Sequence, residues 1–175
     1  HFLKDPAVLG RISSALDLKP DQRLLEIGPG RGALTAELHG QPGRYLAVEI
    51  DRDLVPALKA RFADIDFVND DILRIALDEL LSGGDWRVVG NLPYNISTRL
   101  LVRLFAHTDS IRDMHFMLQR EVAQRLAAVP GTKAWGRLTV VAQYHCEVQA
   151  LFDVDPTSFT PEPKVFSCVV RLVPH

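Results

Sequence analysis

Through the first two thirds of the chain, short apolar runs alternate with segments whose apolar positions recur every three or four residues. This is the pattern of strands and helices taking turns in a parallel α/β sheet. The predicted strands are Arg23 to Gly28, Tyr45 to Glu49, Ile65 to Val68, Trp86 to Gly90 and Met114 to Leu118. Helices are predicted over Asp5 to Leu18, with Pro6 in the first turn, and over Gly32 to Leu38, Arg52 to Phe62, Ser97 to Phe105 and Gln119 to Val129. The last third changes character. Leu138 to Cys146 fits either helix or strand, whereas Glu147 to Val154 and Phe166 to Val173 read as strands flanking a Pro-rich loop. The expected fold is therefore α/β and Rossmann-like, a mostly parallel sheet of seven strands that ends in an antiparallel hairpin at its edge. No internal repeat or low-complexity segment interrupts it.

Composition narrows the class. With 175 residues and 47% hydrophobic content, the chain suits one domain that buries its core without disulfides or metals. No apolar run approaches the roughly 18 residues of a membrane-spanning helix, and the N-terminus does not read as a signal peptide. A cytoplasmic protein away from membranes is expected. Cys146 and Cys168 lack C-x-x-C spacing and lie in apolar surroundings, which predicts buried free thiols. The six histidines are scattered, so no metal site is expected. A formal charge of −2 runs against a nucleic-acid partner unless Arg and Lys gather on one face.

The candidate chemistry sits at the predicted strand ends. Glu26-Ile27-Gly28-Pro29-Gly30-Arg31-Gly32 is a glycine-rich turn running from the first strand into a helix, where backbone can approach a ligand closely. Dinucleotide folds use G-x-G-x-x-G, but the third glycine here falls at Gly32, which favours S-adenosylmethionine over NAD. Glu49 ends the second strand about 20 residues on, where a carboxylate in this topology accepts from the ribose hydroxyls. Asp70 and Asp71, after the third strand, are the candidates to accept from an adenine amine. Ligands in open α/β sheets bind outside the carboxyl ends of the strands, so these groups should share one crevice.

Asn91-Leu92-Pro93-Tyr94 follows the fourth strand. The Asn91 side-chain oxygen and the Leu92 carbonyl can both accept from an amine, localising a nitrogen lone pair otherwise delocalised into a ring. Pro93 fixes the turn and biases Leu92 towards extended backbone, and Tyr94 offers a stacking face. From the residues alone, adenine, cytosine and glutamine amines all remain possible targets. Phe159, in Ser158-Phe159-Thr160-Pro161-Glu162-Pro163-Lys164, is a second aromatic candidate, either as a lid that sandwiches the base against Tyr94 or as a hydrophobic anchor for the loop.

Phe2-Leu3, Glu26 to Gly30, Asn91-Leu92-Pro93-Tyr94-Asn95-Ile96-Ser97-Thr98, Met114 to Glu121 and Phe159 to Leu172 together resemble the ribosomal RNA adenine N6,N6-dimethyltransferases. The resemblance spans essentially the whole chain and is closest to the bacterial small-subunit branch, the one tied to kasugamycin resistance. It implies dimethylation of two adjacent adenosines near the 3′ end of 16S rRNA, with S-adenosylmethionine as cofactor and the immature small subunit as partner. It also implies cofactor contacts at His1, Leu3, Gly28, Glu49, Asp71 and Asn91, with Gly30, Ile50 and Ile72 beside them, and so favours Asp71 over Asp70. Asn91, Leu92, Pro93, Tyr94 and Phe159 form the implied catalytic set. The chain, residues 1–175, is expected to be the catalytic domain, acting as a monomer, without the family's basic leading segment and small helical C-terminal domain. Three rival readings are the antibiotic-resistance branch acting on 23S rRNA, a non-enzymatic binding role and a DNA adenine methyltransferase. Leu92 and the Phe159 loop favour the small-subunit branch.

Overall fold

The central strands are apolar at successive positions because helices cover both faces of the sheet, so side chains pointing either way enter a core. The computed structural model describes residues 1–175. In chain order the elements are β1 (Phe2–Leu3), α1 (Pro6–Leu16), β2 (Arg23–Ile27), α2 (Ala33–Leu38), β3 (Arg44–Glu49), α3 (Val55–Arg61), β4 (Asp66–Asn69), α4 (Leu77–Leu80) and β5 (Trp86–Asn91). They continue with α5 (Ser97–Phe105), β6 (Ile111–Gln119), α6 (Arg120–Leu126), α7 (Arg137–His145), β7 (Cys146–Val154), β8 (Phe159–Thr160) and β9 (Ser167–Pro174).

Seven strands form the main sheet in the order β4-β3-β2-β5-β6-β9-β7. The first five are parallel, while β9 pairs antiparallel with both β6 and β7. Neighbouring residues of a strand feed opposite cores: Leu25 and Val88 pack with Leu100, Leu104 and Phe116, whereas Leu24 and Val89 pack with Leu9, Leu16 and Leu58 on the other face. The expected hairpin is present at the edge, with β9 inserted between β6 and β7. The segment left open as helix or strand is α7, whose inner side buries Leu138, Thr139 and Ala142.

Helix starts and stops follow local chemistry. Pro6 opens α1 as predicted, and Asp5 caps it by accepting a hydrogen bond from the Ala7 amide. That helix ends at Leu16, two residues earlier than predicted, because Asp17 takes a left-handed conformation (φ 45°). The third helix starts at Val55 rather than near Arg52, after a turn in which the Asp53 amide is bound by the Asp51 carboxylate. Two features lie outside the expected elements: the one-turn helix α4, and a separate two-stranded sheet of β1 and β8, with Phe2 opposite Thr160 and Leu3 opposite Phe159.

The strand order reverses between β2 and β5, with β3 on one side and β6 on the other. That switch point opens a crevice above the carboxyl ends of β2 and β5.

Candidate active site

A cavity of about 760 Å³ occupies the crevice. His1, Leu3, Gly28, Gly30, Glu49, Ile50, Asp71, Ile72 and Asn91, the nine residues expected around a cofactor, all line it. They converge from four strand ends and the N-terminal segment.

The glycine turn approaches the cavity with its backbone. Gly28 and Gly30 have φ of 67° and 59°, conformations that other residues adopt only under strain. The Gly30 amide donates to Glu49 Oε1 at 2.8 Å, and the Asp51 amide donates to Oε2 at 3.0 Å. Glu49 thus ties the β2 turn to the end of β3, and its carboxylate keeps lone pairs for a ligand. A β-carbon at Gly30 would lie 3.0 Å from the Phe2 ring, which itself lies beneath the Arg31 guanidinium at 4.4 Å.

Beyond β4 the floor is built from an acidic turn. Asn69 Nδ2 donates to the Glu49 and Ile50 carbonyls at 2.8 and 3.2 Å, locking the ends of β3 and β4 together. Ile50 is 65% exposed, a large apolar side chain left uncovered at the cavity. Asp71 is half-buried, accepting from the Leu73 amide at 2.9 Å, while Asp70 is exposed and caps the Asp71 amide at 2.7 Å. Both aspartates line the cavity.

The turn after β5 presents free acceptors. Leu92 donates its amide to the Met117 carbonyl at 3.1 Å and buries its side chain, which fixes the turn against β6. Asn91 Nδ2 donates to the His1 carbonyl at 3.4 Å, so its side-chain oxygen and the Leu92 carbonyl are left without a donor from the protein. Pro93 lines the cavity, and the Tyr94 ring lies 5.6 Å from the His1 ring at a 30° tilt. The Tyr94 hydroxyl is 3.4 Å from Ser167 Oγ on β9.

Phe159 requires a correction. Its ring is 1% exposed and packs in the core with Leu3, Leu9 and Val154, so it does not form a lid over a base. Its main chain pairs with Leu3, and the flanking Ser158 carbonyl accepts from Lys4. The anchor reading holds: β8 is fastened by Phe159 and in turn holds His1 to Leu3 against the cavity they line. The exposed aromatic of that loop is Phe166, with Arg120 stacked over it at 4.6 Å.

Glu26 lines the same cavity and was not singled out from sequence. Its carboxyl is fully buried and accepts from Thr35 Oγ1 at 2.6 Å and Tyr45 Oη at 2.7 Å. Burial pushes it up from 4.5 to about 7, and the nearby Glu49 charge adds to the rise. The pairing of a lone acid inside β2 with hydroxyls on α2 and β3 left no local mark in the sequence.

An acyclic polar tail, a ribose and a planar ring together fit a crevice of this size, whose glycine backbone, strand-end carboxylate and exposed Ile50 suit each part in turn. Fold and crevice define the class: a Rossmann-like, S-adenosylmethionine-dependent methyltransferase fold. The family described as ribosomal RNA adenine dimethylase matches residues 1–175, and the chain belongs to it. Among its relatives, the ribosomal RNA small subunit methyltransferase A of Marinobacter nauticus is 49% identical over 100% of this chain and 64% of its own length. The same-named protein of Methylococcus capsulatus is 52% identical, covering 100% and 69%. A solved dimethyladenosine transferase from Plasmodium falciparum superposes with a TM-score of 0.91 at 30% identity, covering all of this chain and 64% of its own. The solved 23S rRNA methyltransferase ErmE gives 0.87 at 31%, covering all of this chain and 70% of its own. The chain thus spans about two thirds of the length of these relatives.

Proposed function

We propose that this chain catalyses S-adenosylmethionine-dependent dimethylation of the N6 amines of two adjacent adenosines near the 3′ end of 16S rRNA, within the immature small ribosomal subunit. The observation that carries this reading is the pair of unpartnered acceptors in the turn after β5, Asn91 Oδ1 and the adjacent Leu92 carbonyl, with Asn91 lining the same cavity as Glu49 and Asp71. Identities near 50% to small-subunit enzymes, against 31% to the 23S enzyme, support the small-subunit target. In this reading the protein works as a cytoplasmic monomer; no helix is long and apolar enough to cross a membrane.

Glu49 would accept from the ribose hydroxyls and Asp71 from the adenine amine, with Ile50 and Ile72 against the ring. Gly28 and Gly30 would let the turn close on the rest of the cofactor, under the cover of His1 and Leu3. The cofactor, when bound, supplies a methyl group on a sulfonium with a neutral leaving group. Asn91 and Leu92 hold the target amine by its two N–H bonds, turning its lone pair towards that methyl group. Tyr94 stacks on the extruded base, a contact worth roughly 1–3 kcal/mol, and His1 must swing off the ring to allow it. The nitrogen becomes acidic as the new N–C bond forms, so its proton passes to water without a strong base. Alignment supplies much of the rate. A base inside a duplex cannot reach this turn, so the target adenosines lie in a loop or are flipped out.

The test is mass spectrometry of nucleosides from unmethylated small subunits, and separately from large subunits, incubated with the chain and cofactor. Dimethyladenosine should form on 16S rRNA alone, and Asn91→Ala should abolish it while cofactor binding stays measurable. Product on 23S rRNA alone would transfer the assignment to the other branch.

A further inference from the structure

The loop that follows β4 is held at its far end by a helix belonging to a different part of the site. Arg103, half-buried on α5, donates from Nη1 to the Ile72 carbonyl at 2.5 Å and from Nη2 to the Ile75 carbonyl. No main-chain donor reaches either carbonyl. Within the loop, the Arg74 and Ile75 amides close onto the Asp71 carbonyl at 2.9 Å, so the turn is internally stiff and needs only its attitude fixed. The helix that fixes it begins at Ser97, directly after the Asn91 turn, and is clamped to the core by Leu100, Leu101 and Leu104. A guanidinium suits the task because its two Nη donors form a planar fork that can span two carbonyls, whereas an ammonium is a single point.

We propose that Arg103 is a positioning residue that sets Asp71 and Ile72 relative to the Asn91 turn, and thereby sets how strictly the crevice selects adenine over other purines in its cofactor. The inference rests on the reading of the crevice as the cofactor site, with Asp71 accepting from the ring amine. Asp71 bears on one atom of the ring, so a loop that tilts loses its discrimination before it loses the cavity.

The experiment is calorimetric binding of 5′-methylthioadenosine and of its 6-oxo counterpart, 5′-methylthioinosine, to the whole chain, with no transfer chemistry involved. The wild type should prefer the adenine compound by about tenfold or more, the worth of one charge-assisted hydrogen bond. Arg103→Ala should collapse that ratio to about twofold, Arg103→Lys should restore part of it, and the exposed neighbour Val102→Ala should leave it unchanged. If Arg103→Ala weakens both compounds in parallel and keeps the ratio, the residue merely supports the fold and the proposal fails. Should the alanine variant not fold, an undiminished ratio in Arg103→Lys refutes the proposal equally. A wild type that binds both compounds alike would instead sink the assignment of Asp71, a separate failure that takes the proposal with it.

Discussion

Replacing Glu26 with Gln should make the cofactor-free protein more stable above neutrality and leave it nearly unchanged in acid. Three groups face the Glu26 carboxyl: the Thr35 hydroxyl from α2, the Tyr45 hydroxyl from β3, and the Glu49 charge at the end of β3. None is a cation; the two hydroxyl hydrogen bonds favour the ionised form but do not outweigh its desolvation. Below 4.5 the carboxyl is protonated in both folded and unfolded chains and has no effect on the slope. Between 4.5 and about 7 the unfolded chain gives up its proton while the folded one keeps it, so stability falls as pH rises through that window. At about 1.4 kcal/mol per pH unit of displacement, the full loss is about 3 kcal/mol. A Gln keeps an acceptor for both hydroxyls and carries no charge. Urea unfolding of both proteins from pH 5 to 8 measures the difference, and groups common to both cancel. The gap between them should open by about 2.5 kcal/mol over that range, or by roughly 5–10 °C in melting temperature for a chain of this size. A constant difference across the range would show that Glu26 is already ionised at pH 5 and that its burial has been overcome by some other group.

The remaining predictions concern the crevice and its cover. Glu49→Ala removes the anchor of the Gly30 and Asp51 amides together with the proposed ribose acceptor, and calorimetry should record a loss of cofactor affinity of at least about tenfold; wild-type affinity would remove Glu49 from the site. Phe159→Ala should cost about 3–5 kcal/mol of stability, the usual penalty for emptying a buried aromatic site. A variant that melts like the wild type but turns over slowly would revive the lid reading.

Much of the architecture is written in the sequence because its signals are local and repeated. The parallel strands are mostly apolar runs, and the Glu26 to Gly32 and Asn91 to Tyr94 segments lie at the carboxyl ends of two of them, so topology alone brings them to one crevice. What stayed hidden depends on contacts between distant segments. The two-residue strands β1 and β8 are too short for any period, so nothing local reveals that Phe159 turns inward and pins the N-terminal segment. α7 was ambiguous because its outward side carries Val140 and Tyr144, 49% and 78% exposed, which blurs the polar face of a helix.

Charged residues inside strands were the least legible, since their burial is decided by partners far along the chain. Arg87 on β5 is satisfied by Asp113 on β6 through two bonds of 2.9 Å, and Arg171 on β9 donates to His115 Nε2 at 2.9 Å. Desolvation holds His115 down at about 4, so it stays neutral at physiological pH and can accept that bond. Arg103 follows the same logic at the edge of the site, since its partners are main-chain carbonyls 28 and 31 residues away that no side-chain pattern marks. The motifs therefore locate the chemistry, whereas the groups that hold the motifs in register are bound to whichever strand or loop the topology places beside them. Substitutions at those supporting positions should alter selectivity and pH response while leaving every motif residue in place.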